Sequence, residues 1–385
     1  MPRPLDAFAY RLVASDPACA ARLGTFSTPH GVIDLPAFMT IGTRGAVRGV
    51  SPDQLRAAGC QVLLANTYHL ALRPGADVVE RLGGLHQFMA WDGPILTDSG
   101  GYQVFSLAEL RSIDDSGVTF RSHLDGAVLR LDPARAMQVQ NQLGADIIMA
   151  FDQCARLPAT PDQLREAVVR TIRWATESAS AHARADQALF GIVQGGLDLD
   201  LRTRCLNALR EIDFPGYAIG GLSVGESPEQ MAEFLRAFAP LLPADRPRYL
   251  MGVGRPIDIV RAVACGVDLF DCVLPTRNGR NAFAFTDGGT IRLRNERHRL
   301  STEPLEVGCD CYTCRHYSRG VLRHLFLAGE MLGPVLVSIH NIAYYQRLMR
   351  RIREAVRDGR FANLLAEFEA RERRSSTEES TCESP

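Results

Sequence analysis

Eight short apolar segments constrain this chain more than any other feature. They are AFMTIG (37–42), VLLAN (62–66), PILTD (94–98), IIMAFD (147–152), LFGIVQ (189–194), YAIGGL (217–222), RYLMG (248–252) and LFDCVLP (269–275). Their cores are rich in Ile, Val, Leu, Phe and Met without strict alternation, as expected of strands covered on both faces of a parallel sheet. Most intervals between them are long enough for the crossover helix that parallel neighbours require. Eight such units predict an α/β fold, a (β/α)8 TIM barrel, with its active site where the strands end. The tips are Asn66, Asp98, Asp152, Gln194, Gly220, Gly221, Gly252 and Asp271. Three carboxylates and an amide converging on one mouth suit chemistry on a polar ring.

A chain of 385 residues suits one large domain plus an elaboration. No apolar stretch reaches the ~20 residues of a spanning helix, so no membrane association is expected. The start, MPRPLDAFAYRL, carries an acidic residue and no signal-peptide core, and a cytoplasmic location is expected. With a net charge of -1, the whole-molecule field does not announce a nucleic-acid partner. The local distribution says more. Every basic residue is arginine, and Arg277, Arg280, Arg292, Arg294, Arg297 and Arg299 crowd behind the last strand. Guanidinium forks suit phosphate oxygens and stack on bases. On charge alone, a solvated face accounts for them equally well.

The barrel is expected over residues 8–275, including a hairpin at 23–38 that closes its floor. Pro161 and Ser227–Pro228 mark helix starts. After the last strand the pattern changes. FAFTDGGTIRLRN (283–295) reads as a hairpin around Asp-Gly-Gly, and a helical run follows from Arg319 to about Glu330. Residues 276–340 are expected to form an inserted subdomain, 341–370 a C-terminal helix closing the barrel, and the polar stretch 371–385 a disordered tail. Within the insertion, Cys309, Cys311 and Cys314 are packed together, with His340 at a distance in VSIHNIAYY. Three thiolates and one imidazole make the closed tetrahedral set of a structural Zn2+. The imidazole is expected at a helix start. His316 competes as fourth ligand, although two residues past Cys314 is tight for closing a tetrahedron.

Five strings carry the chemistry. TDSGGYQVFSL (97–107) places Asp98 at a strand end before a glycine turn that brings backbone close to a ligand. FDQC presents Asp152, GIVQGG presents Gln194, and AIGGLSVGE (218–226) supplies backbone donors. A carboxylate accepts from ring NH and amino groups, while amides donate to a carbonyl. That set complements the edge of guanine, a pterin or another purine. Asp271, in LFDCVLPTRNGRN, stands directly before the arginines. Two carboxylates around an anomeric carbon can serve as nucleophile and acid/base.

These strings, with YLMGVG and CxCxxC…H, resemble the bacterial tRNA-guanine transglycosylases in order and spacing from about residue 8 to 370. The resemblance implies a zinc-bearing (β/α)8 barrel that exchanges guanine at the wobble position (34) of tRNAs with a GUN anticodon for preQ1, in queuosine biosynthesis. It implies Asp271 as nucleophile at C1′ and Asp98 as general acid/base. Asp152, Gln194 and Gly220-Gly221-Leu222 would read the base edge. Tyr102 and Met251 would sandwich the ring, Ser99 and Cys154 would line its pocket, and Arg277 and Arg280 would contact RNA. A homodimer is also implied, with Tyr317, His324 and Phe88 at its interface.

Departures from the family pattern are Gln153 for Glu in FDEC, Tyr102 for Phe, and Ala282 where glycine is frequent. Glu226 retains an acidic group for an aminomethyl subsite. Val224, where eukaryotic relatives have glycine, is expected to leave room for preQ1 but not for the ring of queuine. A non-catalytic RNA-binding subunit of the same family is the alternative, which the presence of both Asp98 and Asp271 disfavours. An unrelated hydrolase with catalytic zinc is disfavoured by the Cys3His ligand set.

Overall fold

The structure, a computed structural model, describes residues 7–103, 111–155 and 158–382. The chain opens with a three-stranded antiparallel sheet of β1 (Tyr10–Ser15), β2 (Arg22–Thr28) and β3 (Gly31–Leu35). Next come β4 (Ala37–Ile41), β5 (Leu63–Ala65) and β6 (Ile95–Thr97). A second antiparallel sheet intervenes, made of β7 (Arg111–Asp114), β8 (Gly117–Arg121) and β9 (Val128–Leu131). Five further strands follow: β10 (Ile147–Met149), β11 (Ala188–Val193), β12 (Tyr217–Ile219), β13 (Arg248–Leu250) and β14 (Leu269–Asp271). The strands β4-β5-β6-β10-β11-β12-β13-β14 form a closed barrel in that order, with β14 pairing back onto β4.

All eight barrel strands are one-face-in, one-face-out, and both faces are covered. Inside, Met39, Leu64, Leu96, Met149, Ile192, Ala218 and Tyr249 pack together with Phe26 and Ile33 of the opening sheet, which closes the floor. Outside, Phe38, Leu63, Ile148, Val193, Leu250 and Phe270 pack against the helices. This double burial is why the strands read as continuous apolar runs rather than alternating ones. The opening sheet is also pinned electrostatically. Arg22 donates to both oxygens of fully buried Asp268, at 2.9 and 2.5 Å.

The helix starts follow their local chemistry. Ser227 Oγ accepts from the Gln230 amide at 3.2 Å, and the Gln230 side chain accepts from the Ser227 amide at 2.9 Å. Thr160 and Gln163 repeat this capping box ahead of the helix Pro161–Ala181. In both cases proline occupies the first turn, where its missing N–H costs nothing.

Beyond the barrel, the hairpin forms as β15 (Phe283–Thr286) and β16 (Gly289–Arg292), followed by the helix Arg319–Leu327. Three expectations are corrected here. The helix Leu332–Arg357 starts before residue 340, so His340 lies within it rather than at its start, and the boundary at 341 falls inside a continuous element. The expected single C-terminal helix is two, because Gly359 takes a left-handed turn (φ 64) between Arg357 and Phe361. The expected disordered tail is helical through Cys382, as the end of the helix Phe361–Cys382. Just past 370, Arg371 pairs with Glu367 one turn earlier and Arg255 pairs with Glu372. Residues 383–385 lie outside the described residues. The sheet β7–β9 was not foreseen at all.

Candidate active site

The carboxyl ends of the barrel strands open into one cavity of about 610 Å³. Asp98, Ser99, Tyr102, Asp152, Cys154, Gln194, Gly220, Gly221, Leu222, Met251 and Asp271 all line it, as does Arg277 at its rim. Arg280 does not line it; it sits half-buried near Arg48 and Arg277. Residues 104–107 of the TDSGGYQVFSL string lie outside the described residues. A second cavity of about 630 Å³, lined by Tyr10, His182 and Arg246, contains none of these carboxylates. Size therefore does not distinguish the two; chemistry does.

Asp98 follows β6 and is held by three donors. The Thr67 amide donates to Oδ1 at 2.8 Å, while Gln103 Nε2 donates to Oδ2 at 2.8 Å and Asn66 Nδ2 donates to the same oxygen. Burial pushes its carboxyl up to about 6, and the negative charge of Asp271 adds to that, against the pull of the three donors. Such a group can hold and release a proton near neutral pH.

Asp271 ends β14, and its surroundings differ. Tyr249 Oη donates to Oδ1 at 2.6 Å and the Gly252 amide donates to the same oxygen at 2.7 Å. Oδ2 has no donor among the described residues and is the oxygen left for a ligand. Burial raises this carboxyl too, with the two hydrogen bonds opposing.

Asp152 follows β10. Ser99 Oγ donates to its Oδ1 at 2.9 Å and Gln194 Nε2 to its Oδ2 at 2.7 Å, while burial raises its carboxyl. Gln194 lies so close to the turn after β12 that a Cβ on Gly220 would stand 2.6 Å from Nε2, and one on Gly221 2.4 Å from Oε1. The Gly-Gly pair is thus a requirement of close approach. Beyond it, Glu226 accepts from the amides of Ser223 and Val224, the latter at 3.2 Å. Ser223 has φ 59, so the turn is held in the left-handed region by that carboxylate. Cys154 sits beside this turn, with burial pushing its thiol up to about 12. It is therefore an apolar wall and not a nucleophile.

Sequence reasoning missed Tyr249, Gln103 and Thr67. Tyr249 lies inside β13 rather than at its tip, Thr67 acts on Asp98 from a different string, and Gln103 reaches back to Asp98 from five residues further along the same one. Gln153, by contrast, points away from the cavity set: its Oε1 accepts from Arg170 Nη1 at 2.9 Å. Arg170 also pairs with Asp115 and Glu166. A neutral acceptor there leaves the guanidinium to those two carboxylates.

The second candidate centre lies in the subdomain behind the barrel. Cys309, Cys311, Cys314 and His340 bring their ligand atoms within 4.8 Å of one another, and His316 is not among them. His340 Nδ1 stands 3.8, 3.6 and 3.3 Å from the three sulfurs. Its Nε2 lies 2.7 Å from the Phe285 carbonyl. That bond fixes the proton on Nε2 and leaves Nδ1 to face a metal, a usual outer-shell arrangement for ligating histidine. Arg347 Nη1 donates to Cys309 Sγ at 3.2 Å. The four residues fit a tetrahedral metal ion with no position left over.

A pair of buried carboxylates at a barrel mouth is compatible with several reactions, and comparison with known proteins narrows them. A model of the queuine tRNA-ribosyltransferase family matches residues 16–374. The chain belongs to the queuine tRNA-ribosyltransferase family. With it, the chain belongs to the tRNA-guanine transglycosylase enzymes. A queuine tRNA-ribosyltransferase of Thioalkalivibrio sulfidiphilus is 53% identical over 362 residues, covering 94% of this chain and 97% of the relative. One of Nitrosomonas eutropha is 54% identical over 348 residues, covering 90% and 96%. One of Moorella thermoacetica is 50% identical over 364 residues, covering 94% and 98%.

Proposed function

We propose that this enzyme exchanges guanine at the wobble position of GUN-anticodon tRNAs for preQ1 through a covalent Asp271–ribose intermediate. The observation that carries the reading is the division of labour between two buried carboxylates. Asp271 offers a free oxygen, while Asp98 is oriented by three donors that leave room for a proton, and its carboxyl is raised to about 6. In the first half-reaction, Asp271 Oδ2 bonds to C1′ as the C1′–N9 bond breaks, and protonated Asp98 gives its proton to the departing guanine. In the second, preQ1 surrenders its N9 proton to Asp98, bonds to C1′ and displaces Asp271. Atoms and charges balance, and Asp98 returns to its starting state.

Asp152, Gln194 and the Gly220-Gly221-Leu222 backbone complement the base edge, Ser99 orienting Asp152 for it. Tyr102, whose ring is exposed at the mouth, and Met251 bracket the ring of the base. Exposed Arg277, Arg292, Arg294, Arg297 and Arg299, with Arg280 behind them, supply the cationic surface that tRNA phosphates need. The metal is zinc, structural because its ligand set is closed. Val321, Leu327, Met331 and Leu332 are exposed on the same subdomain. They support a homodimer that also involves Tyr317, His324 and Phe88. No helix among the described residues is long and apolar enough to cross a membrane, in keeping with work on tRNA in the cytoplasm.

The direct assay is incorporation of radiolabelled guanine into tRNA with a GUN anticodon. Label should appear at position 34 and chase out with unlabelled preQ1. Absence of label from GUN tRNA, with a purified and folded enzyme, overturns the reading.

A further inference from the structure

One buried charge beside the catalytic cavity is used by none of the steps above. Arg202 lies in the helix Leu199–Arg210, which follows β11, and is fully buried. It does not line the cavity. Its hydrogen bonds go to backbone carbonyls rather than to carboxylates, and Nη2 has no partner among the described residues. Taking a guanidinium out of water without a carboxylate to pair with is costly. Burial pushes it down to about 10, with the Cys205 and Cys154 thiols and Glu226 opposing, so it stays charged at neutral pH.

The destination of its donors shows what such a charge does there. Nη1 donates to the Val193 carbonyl at 2.6 Å and Nε to the Gly196 carbonyl at 2.9 Å. These two carbonyls bracket Gln194. The Val193 carbonyl also accepts from the Gly220 amide at 3.1 Å, so one guanidinium joins the tip of β11 to the tip of β12. The guanidinium is itself immobilised. Its carbon stands 5.3 and 5.9 Å from the ring centroids of Phe234 and Phe238, in the helix Pro228–Phe238. The turn that returns the Gly196 carbonyl to Nε has φ 143 at Gly195 and φ 60 at Gly196. A Cβ on Gly195 would stand 2.9 Å from the Arg202 amide nitrogen, so the turn and the helix fit only with glycine between them.

We propose that Arg202 is a positioning residue for base recognition, holding Gln194 in place from beneath the pocket through the backbone carbonyls on either side of it. The inference rests on the proposed reading of the base edge by Gln194 and the Gly220-Gly221-Leu222 backbone. A side chain whose flanking carbonyls are both fixed loses little freedom when a base binds, so less of the binding free energy goes into ordering it. The fork of Arg suits this task better than a neutral amide would. Its bonds are charge-assisted, and its donors are set in one rigid plane that reaches both carbonyls at once. Gln194 in turn donates to Asp152 Oδ2 at 2.7 Å, so the order imposed by Arg202 extends to the carboxylate that faces the base. Arg202 lies outside the cavity and meets neither ribose nor phosphate. Its effect therefore falls on the base and not on the hold on tRNA.

The test is steady-state exchange of radiolabelled guanine into GUN-anticodon tRNA by the full-length protein, with KM measured separately for the free base and for tRNA. Arg202→Met keeps an unbranched stem against Phe234 and Phe238 but removes the charge and the donors. A displacement of about 1 Å in a positioned group can cost on the order of 100-fold, so the guanine KM should rise by about tenfold or more. The tRNA KM should stay within about twofold, because the phosphate contacts are untouched. Arg202→Lys keeps the charge without the fork and should fall between the two. Gln194→Ala should raise the guanine KM by itself. Because Arg202 acts through Gln194, the double variant should fall well short of the product of the two single effects. Circular dichroism checks each fold, and Arg202→Lys enters the same cycle if Arg202→Met does not fold. The inference is overturned if folded Arg202→Met keeps the unmodified guanine KM while Gln194→Ala raises it. It is equally overturned if the tRNA KM rises as much as the guanine KM, or if the two changes multiply. A Gln194→Ala variant with unchanged guanine KM overturns the reading of the base edge itself, and the inference with it.

Discussion

Asp98 and Asp271 are both buried carboxylates, and what separates them is which of their oxygens are engaged. Asp98 receives donors on both oxygens, Asp271 on one. The residue types were legible at the strand tips, but the inequality was not, because Tyr249, Gln103 and Thr67 come from three different segments. Position 282 is likewise explained only by the backbone: Ala282 is buried with φ 67, a left-handed conformation that favours glycine. Two predictions belong here. Burial raises the folded-state Asp98 carboxyl from 3.8 to about 6. The folded state therefore keeps this proton to higher pH than the unfolded chain, and the group makes stability fall as pH rises from about 4 to about 6. Asp98→Asn cannot titrate, so the variant should gain on the unmodified protein by up to about 3 kcal/mol between about pH 4 and pH 7. Urea unfolding across that range measures it; parallel stability curves would contradict the assignment. The second concerns base choice. Val224 is half-buried in the cavity wall, and a packed wall does not admit a ring by small adjustments. Free queuine should be a poor substrate beside guanine and preQ1, and Val224→Gly should raise its relative incorporation by about tenfold or more. Efficient queuine insertion by the unmodified protein refutes this account of the subsite.

Elements with one strong local signal were legible in the sequence, and elements stabilised from a distance were not. The capped helices at Pro161 and Pro228 were readable because side chain and backbone within four residues decide them. The hairpin β15–β16 was readable from its turn. The helix beyond residue 370 was not legible because composition measures apolar content and says nothing of pairs such as Arg371–Glu367 and, from a distant segment, Arg255–Glu372. The metal centre joins the hairpin side of the subdomain to the helix Leu332–Arg357 through one histidine, itself fixed by the Phe285 carbonyl in β15. Its prediction is therefore structural. Cys314→Ala should bind less than one zinc per chain, lower the melting temperature and, on the proposed homodimer, shift the protein toward monomer in sedimentation. Elemental analysis showing undiminished zinc in that variant would remove Cys314 from the ligand set.

At the scale of the whole molecule, the barrel was legible because closure covers both faces of every strand and leaves each as an apolar run ending in a polar tip. Strand order follows from chain order almost without exception; the break, β7–β9, inserts between β6 and β10 without disturbing it. Closure then brings tips that are far apart in the chain to one cavity, so Asp98 and Asp271 meet across 173 positions of sequence. The central claim is that this meeting builds a covalent sugar-transfer site. Incubating the enzyme with GUN-anticodon tRNA and separating the mixture on a denaturing gel tests it most directly. The unmodified protein should give a shifted protein–tRNA band that preQ1 or guanine discharges, and Asp271→Ala should bind tRNA without forming the band. An adduct of undiminished yield from Asp271→Ala, or guanine exchange by that variant near the unmodified rate, would contradict the account.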